Sequence, residues 1–214
     1  MSVRGVIFDM DGVLVESDQH HRAAWGALLH ELGARVTIEE SWRLTIGRPA
    51  HEAVRLLLGR ALTAVEAMRL ARRKRDLYRH LVRRGAVAVP GAAAFVASVS
   101  GSGIACAVAT SASRHEAQHV LRTLGLGRHF RAVVTADDVV RGKPDPEVYR
   151  KAAEKIGVAA AKCLVFEDAV VGVQAARRAG MRVIGVTTAH SSDELSQAGA
   201  ERAITSFAGL TWPM

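Results

Sequence analysis

The chain has 214 residues, 49% of them apolar, two cysteines and a formal charge of +8. That apolar content supports a sizeable buried core in one large domain, or one domain with a smaller one inserted, and two cysteines exclude a disulfide-stapled scaffold. No apolar run approaches membrane-spanning length and no basic-then-apolar leader opens the sequence, so a cytoplasmic protein with no membrane partner is expected.

In chain order, Val3–Phe8 reads as a buried strand. From Ser17 the period turns helical, with Trp25, Leu28, Leu29 and Leu32 at threes and fours and a stop at Gly33. Further helices are predicted over about 38–45, from Pro49 to about Leu58, and over about 63–83. Residues 17–84 therefore form a helical insert without a strand. Residues 16–84 hold 14 Lys and Arg against 8 Asp and Glu, and the remainder hold 15 against 13. Most of the excess lies in Arg69, Arg72, Arg73, Lys74, Arg75, Arg79, Arg83 and Arg84. Such a run is either a nucleic-acid patch or a solvated helix face. Aromatic interleaving is limited to Tyr78, which favours the solvated face and no nucleic-acid partner. A positive field that attracts anionic substrates fits the same run.

After Pro90-Gly91 strands and helices alternate. A helix over about 91–100 precedes the strand Ile104–Ala109, and a helix spans about 113–124. The strand Ala132–Val134, a helix from Pro146, and the strand Cys163–Phe166 come next. A helix ending at Gly180, the strand Arg182–Val186 and a weak strand at about 202–204 complete the series. Cys106 and Cys163 fall inside strands, as buried small hydrophobes of a reducing compartment. Short apolar strands without a polar face, alternating with helices, predict an α/β fold: a parallel sheet covered on both sides. In such a sheet ligands bind at the carboxyl ends of the strands.

Four polar clusters stand at those ends. Asp9-Met10-Asp11-Gly12 follows the first strand, and residues two apart on an extended chain point to one face. Two carboxylates at a buried strand mouth need a cation or a shifted pKa, unless they only decorate a surface turn. Thr110-Ser111-Ala112-Ser113 opens a helix, where hydroxyls and N–H groups make either an anion site or an ordinary N-cap. Gly142-Lys143-Pro144-Asp145-Pro146 starts a helix with Asp145 as N-cap and Pro146 at its first position, and brings an ammonium suited to a phosphate or oxyanion. Phe166-Glu167-Asp168 ends a fourth strand in two acids. Four acids, one lysine and no histidine pair favour a hard cation, Mg²⁺.

Together these motifs resemble the haloacid dehalogenase superfamily of phosphotransferases, in the branch of sugar-phosphate phosphatases, phosphoglycolate-type phosphatases and β-phosphoglucomutases. The resemblance covers nearly the whole chain and implies a three-layer Rossmann-like core (1–16 and 85–214) with an inserted helical cap (17–84). It implies that Asp9 is the nucleophile forming an aspartyl-phosphate, and that Asp11 is the general acid and base, its carbonyl ligating Mg²⁺. Asp168 is implied as a metal ligand, with Glu167 a ligand directly or through water. Thr110 or Ser111 binds the phosphoryl group, Thr110 being preferred because it ends the strand, and Lys143 pairs with nucleophile and phosphoryl oxygens. The second aspartate points to a phosphatase or phosphomutase and away from a dehalogenase or a transport ATPase.

In the cap, His21 matches a hinge histidine of that branch, with His20 as a rival register. Gly47 and Arg48 fall in its substrate loop. Mutases have an arginine three residues after the glycine, where this chain has Ala50, and lysine-asparagine where it has Arg114 and His115. The expectation is a Mg²⁺-dependent phosphatase of a small phosphorylated metabolite, with a β-phosphoglucomutase-like mutase as alternative. A monomer is compatible with this.

Overall fold

A computed structural model describes residues 2–81 and 85–213. Six parallel strands, β1 (Gly5–Phe8), β2 (Ala105–Ala109), β3 (Ala132–Val134), β4 (Cys163–Glu167), β5 (Arg182–Val186) and β6 (Arg202–Ile204), form one sheet in the order β3-β2-β1-β4-β5-β6. The order reverses at β1, so the switch point falls where the first acidic pair leaves the sheet. In register, Phe8 lies beside Val108 on one side and Phe166 on the other.

Strand alternation sends Val6 and Phe8 to one face and Ile7 to the other, and a separate core covers each. On the first face Phe8 stacks on Phe166 at 5.2 Å, and Phe95 and Phe207 complete an aromatic cluster. Phe95 comes from α5 (Ala92–Gly101), which shares this face with α6 (Arg114–Thr123). The opposite face is covered by α7 (Glu147–Lys155), α8 (Val170–Arg178) and α9 (Ser192–Ala198). The three-layer α/β expectation is met.

Between β1 and α5 run α1 (Asp18–Glu31), α2 (Ile38–Thr45), α3 (Ala50–Leu58) and α4 (Ala64–Leu81). They pack around a core of their own, including Trp25, Leu28, Val54, Leu57 and Leu70. The chain enters and leaves this insert through two paired segments: Glu16 N–H donates to Val87 O at 2.8 Å, and Val89 N–H to Leu14 O at 3.1 Å. Among the described residues no helix is long and apolar enough to cross a membrane.

Three expectations need correction. The basic run is not simply a solvated face, because Lys74 lies on the apolar stripe of α4 with Ala67, Leu70, Ala71 and Tyr78, all buried. Arg83 and Arg84 lie outside the described residues. The helix after Lys143 begins at Glu147, one residue later than predicted, although Asp145 still accepts the Glu147 N–H at 3.0 Å. Lastly, α9 has no counterpart in the sequence reading; it is seven residues long and buries only Leu195. Its signal is a capping box, with Ser191 accepting from the Glu194 N–H and Glu194 from the Ser191 N–H.

Candidate active site

All four strand-end clusters border a single cavity of about 340 Å³ between the sheet edge and the insert. Its lining includes Asp9, Asp11, Thr110, Ser111, Lys143 and Asp168 from the sheet side. The insert contributes His21, Trp42, Gly47, Arg48, Lys74 and Arg75.

Asp9 leaves the end of β1 with its backbone N–H bonded to Phe166 O at 2.9 Å, so sheet pairing fixes its position. Lys143, 1% exposed, spans from Asp9 Oδ1 at 2.8 Å to Glu167 Oε2 at 2.7 Å. Glu167 Oε2 also accepts the hydroxyl hydrogen of Tyr149, and Oε1 accepts the N–H groups of Asp168 (3.1 Å) and Ala169 (3.0 Å). These four donors match the lone-pair capacity of a carboxylate, and a residue with no side chain, Gly172, closes over it. Glu167 therefore sits behind Asp9 and Lys143, whereas Asp9 and Asp168 face the cavity.

Burial first, then the Glu167 charge, push Asp9 up to about 8 against the pull of Lys143. Burial, then the charges of Glu167 and Asp9, raise Asp168 well above the usual carboxylate range. Asp11 behaves in the opposite way. Burial alone would raise it, but the charge and hydrogen bond of His21, helped by Ser17, hold it at about 2. His21 Nε2 lies 3.1 Å from Asp11 Oδ1. The other ring nitrogen is 2.6 Å from Lys74 Nζ, and the imidazole stacks on Tyr78 at 4.2 Å. Lys74 is itself lowered to about 8 by burial. Of the two neighbouring histidines, His21 is the one bonded to Asp11.

Carboxylate oxygens of Asp9, Glu167 and Asp168 lie within 4.8 Å of one another, a grouping able to hold a metal ion. The site fits a hard divalent cation: its donors are all oxygen, and the raised Asp9 and Asp168 show more buried acid than one lysine neutralises. Asp168 is further set by Thr188, whose hydroxyl is 3.2 Å from Oδ2 and 2.7 Å from Gly12 O.

Thr110 continues β2, with its N–H on Val134 O at 2.9 Å and its Oγ1 accepting the Ala112 N–H at 3.0 Å. The Ser111 hydroxyl instead donates to Gly47 O of the insert at 2.8 Å. Arg48 lines the cavity, but Arg114 does not: its guanidinium donates to Asp138 at 2.6 Å and its N–H to Asp137 at 2.8 Å. Sequence reasoning missed Lys74, Tyr149 and Thr188 as parts of the site. For Lys74 a signal existed, since a lysine at position 74 continues the stripe 67, 70, 71 and 78.

A family model described as haloacid dehalogenase-like hydrolase matches residues 3–180. Validoxylamine A 7'-phosphate phosphatase of Streptomyces hygroscopicus subsp. limoneus is 35% identical over 97% of this chain and 95% of its own length. The phosphorylated carbohydrates phosphatase of Thermotoga maritima is 34% identical over 92% of each chain. In fold, β-phosphoglucomutase from Clostridium difficile superposes with a TM-score of 0.87 at 24% identity, over 98% of this chain and 94% of that one. β-Phosphoglucomutase of Bacillus subtilis (strain 168) is 30% identical over 86% of this chain and 83% of its own length. With acids, lysine and hydroxyls gathered at one switch point, and with these relatives spanning most of its length, the chain belongs to the haloacid dehalogenase-like hydrolases, in the branch of sugar phosphatases and β-phosphoglucomutases.

Proposed function

We propose that the protein is a Mg²⁺-dependent phosphatase of a small phosphorylated metabolite, of the sugar-phosphate or phosphoglycolate type. The observation that carries this reading is the placement of two carboxylates, Asp9 and Asp11, at one strand end facing one cavity, with the Lys143 ammonium 2.8 Å from Asp9. Asp9, Asp168 and the main-chain carbonyl of Asp11 would hold the Mg²⁺, with Glu167 beside them. When bound, Mg²⁺ offsets the repulsion between a carboxylate and a phosphate dianion.

In the first step an Asp9 oxygen bonds to phosphorus as the ester P–O bond breaks, and the departing alkoxide takes a proton from Asp11. A phosphate dianion beside Asp11 raises its pKa and so prepares it as an acid. Water then gives a proton back to Asp11 while its oxygen attacks the aspartyl-phosphate, releasing phosphate and restoring Asp9. Lys143 and the Thr110 hydroxyl would meet the charge that builds on the phosphoryl oxygens, whereas the Ser111 hydroxyl is spent on Gly47 O. The helical insert, residues 17–84, acts as a cap that excludes bulk water.

Arg114 is held by Asp137 and Asp138 outside the cavity, and Ala50 carries no charge, which favours hydrolysis over the phosphomutase alternative. The test is phosphate release by purified protein with Mg²⁺ from a panel of sugar phosphates, phosphoglycolate and nucleotides. Asp9→Asn is expected to abolish it. Isomerisation seen only with a bisphosphate primer, without net phosphate release, would move the assignment to the mutase.

A further inference from the structure

Trp42 and Ile46 of the insert pack on Ala169 and His21 reaches Asp11, but the segment from Gly47 to Glu52 touches three different strand-end loops. The Ser111 hydroxyl donates to Gly47 O at 2.8 Å. Gly47 lies so close to the loop after β4 that a Cβ would sit 2.7 Å from Ala169 and 2.8 Å from Val171. The third contact carries charge: the Gly142 N–H donates to Glu52 Oε1 at 3.0 Å, across 90 residues of sequence. Beside it Gly142 presses on Pro49, whose ring would be 2.2 Å from an added Cβ. One segment of the insert thus rests on the phosphoryl loop, the acid loop and the residue next to Lys143.

We infer that Glu52 is a positioning residue for Lys143, fixing the lysine loop through the Gly142 amide only while the insert is docked on the core. The inference rests on the role of Lys143 in the proposed reaction. Glu52 does not line the cavity, so it acts through the backbone and not on substrate. Glycine is the most conformationally free residue, and Gly142 needs an external partner if the residue after it is to be aimed. Within the core the loop is tied by Asp145 N–H to Gly142 O at 2.9 Å, and by Arg178 to Pro144 O at 3.0 Å. Those bonds hold its carbonyls, and Glu147 of α7 accepts the Val140 N–H at 2.9 Å and the Arg141 N–H at 3.0 Å; the Gly142 amide, next to Lys143, is held from the insert. A carboxylate acceptor makes this bond roughly twice as strong as a neutral one. Lys143 must reach both Asp9 and Glu167 within 3 Å, so a small shift of its backbone breaks the bridge.

The test compares Glu52→Ala and Glu52→Gln in the full chain with Mg²⁺, using p-nitrophenyl phosphate and fructose 1-phosphate as probes, and follows Gly142 amide exchange by NMR. For Glu52→Ala, kcat is expected to fall about tenfold with KM held within about threefold, the scale of one lost charge-assisted hydrogen bond. Glu52→Gln keeps an acceptor oxygen and is expected to stay within about threefold of wild type. Gly142 exchange is expected to speed up in Glu52→Ala and much less in Glu52→Gln. A Glu52→Ala kcat within twofold of wild type, equal losses in both variants, or unchanged Gly142 exchange would overturn the inference. Should Glu52→Ala fail to fold, Glu52→Gln decides: a slow Gly142 amide with retained kcat supports it, and a slow amide with lost kcat overturns it. A wild-type protein that releases no phosphate from any ester would remove the phosphatase reading instead, while the exchange rates would still decide whether Glu52 holds Gly142.

Discussion

Replacing Lys143 by methionine keeps the aliphatic stem and deletes only the ammonium. That group, 1% exposed at the side chain, bonds Asp9 and Glu167, which are 6% and 0% exposed. Removing one partner of such a buried pair costs about 3–5 kcal/mol, mainly by leaving the other charge unpaired. At about 2–4 °C per kcal/mol for a chain of this size, the midpoint should drop on the order of 10 °C. The loss should depend on pH. Burial raises the folded pKa of Asp9 above its unfolded value, so its contribution is complete below the unfolded pKa and is lost as pH rises through about 8. Without Lys143 the folded value lies higher still, and the stability continues to fall above pH 8, where wild type has levelled. Urea unfolding in EDTA at pH 6 and pH 9 should therefore show a larger deficit at pH 9. A deficit below about 1 kcal/mol, or one no larger at pH 9 than at pH 6, would refute the electrostatic account.

Other consequences follow from the same geometry. Metal-free wild type should lose stability between pH 4 and 8, where Asp9 is ionised in the unfolded chain and still protonated in the folded one, and Mg²⁺ should raise the thermal midpoint more at pH 8 than at pH 5, as thermal scans with and without the ion would show. Gly172→Ala would place a Cβ 2.0 Å from Glu167 Oε2, so a loss of about 3 kcal/mol in urea unfolding is expected, with Glu167 forced off Lys143. Lys74→Met removes the partner of His21, so kcat should fall about tenfold for alkyl phosphates and less for p-nitrophenyl phosphate, whose leaving group needs little protonation. The folded pKa of Lys74 lies below its unfolded value, so wild type should gain stability between pH 8 and 10.5 and Lys74→Met should not, a difference that unfolding curves across that window detect.

Sheet and insert were legible because apolar runs without a polar face, and helical periods without a strand, are local patterns. Asp9, Asp11, Thr110 and Asp168 were legible for a similar reason, each being a polar residue just past the end of an apolar run, whereas Lys143 lies well beyond β3 and is marked by its place between glycine and proline. The missed features are those decided by distant partners. Tyr149 reads as one more apolar residue of an amphipathic helix, yet its hydroxyl serves Glu167 on a strand 18 residues away. Glu52 and Gly142 carry no mark of each other across 90 residues. Lys74 was obscured by counting charge along the run instead of around the helix. Arg114 follows the phosphoryl loop directly, but Asp138 takes its guanidinium and turns the side chain away.

Two aspartates separated by one residue thus differ because different halves of the molecule set their surroundings. Every group that moves Asp9 belongs to the sheet or its loops: Glu167, Lys143 and Asp11. The groups that hold Asp11 low are His21, Ser17 and Lys74, all between β1 and α5. The charges around Asp9 are therefore supplied by the core, while those that hold Asp11 low come from the insert side. Undocking would take His21 and Lys74 away from Asp11 and let its pKa return toward the ordinary carboxylate value, with the Asp9–Lys143 bridge weakened only through Gly142. The cavity then has its full set of charges only when both parts meet, and the charged groups of the insert act on Asp11 and not on Asp9.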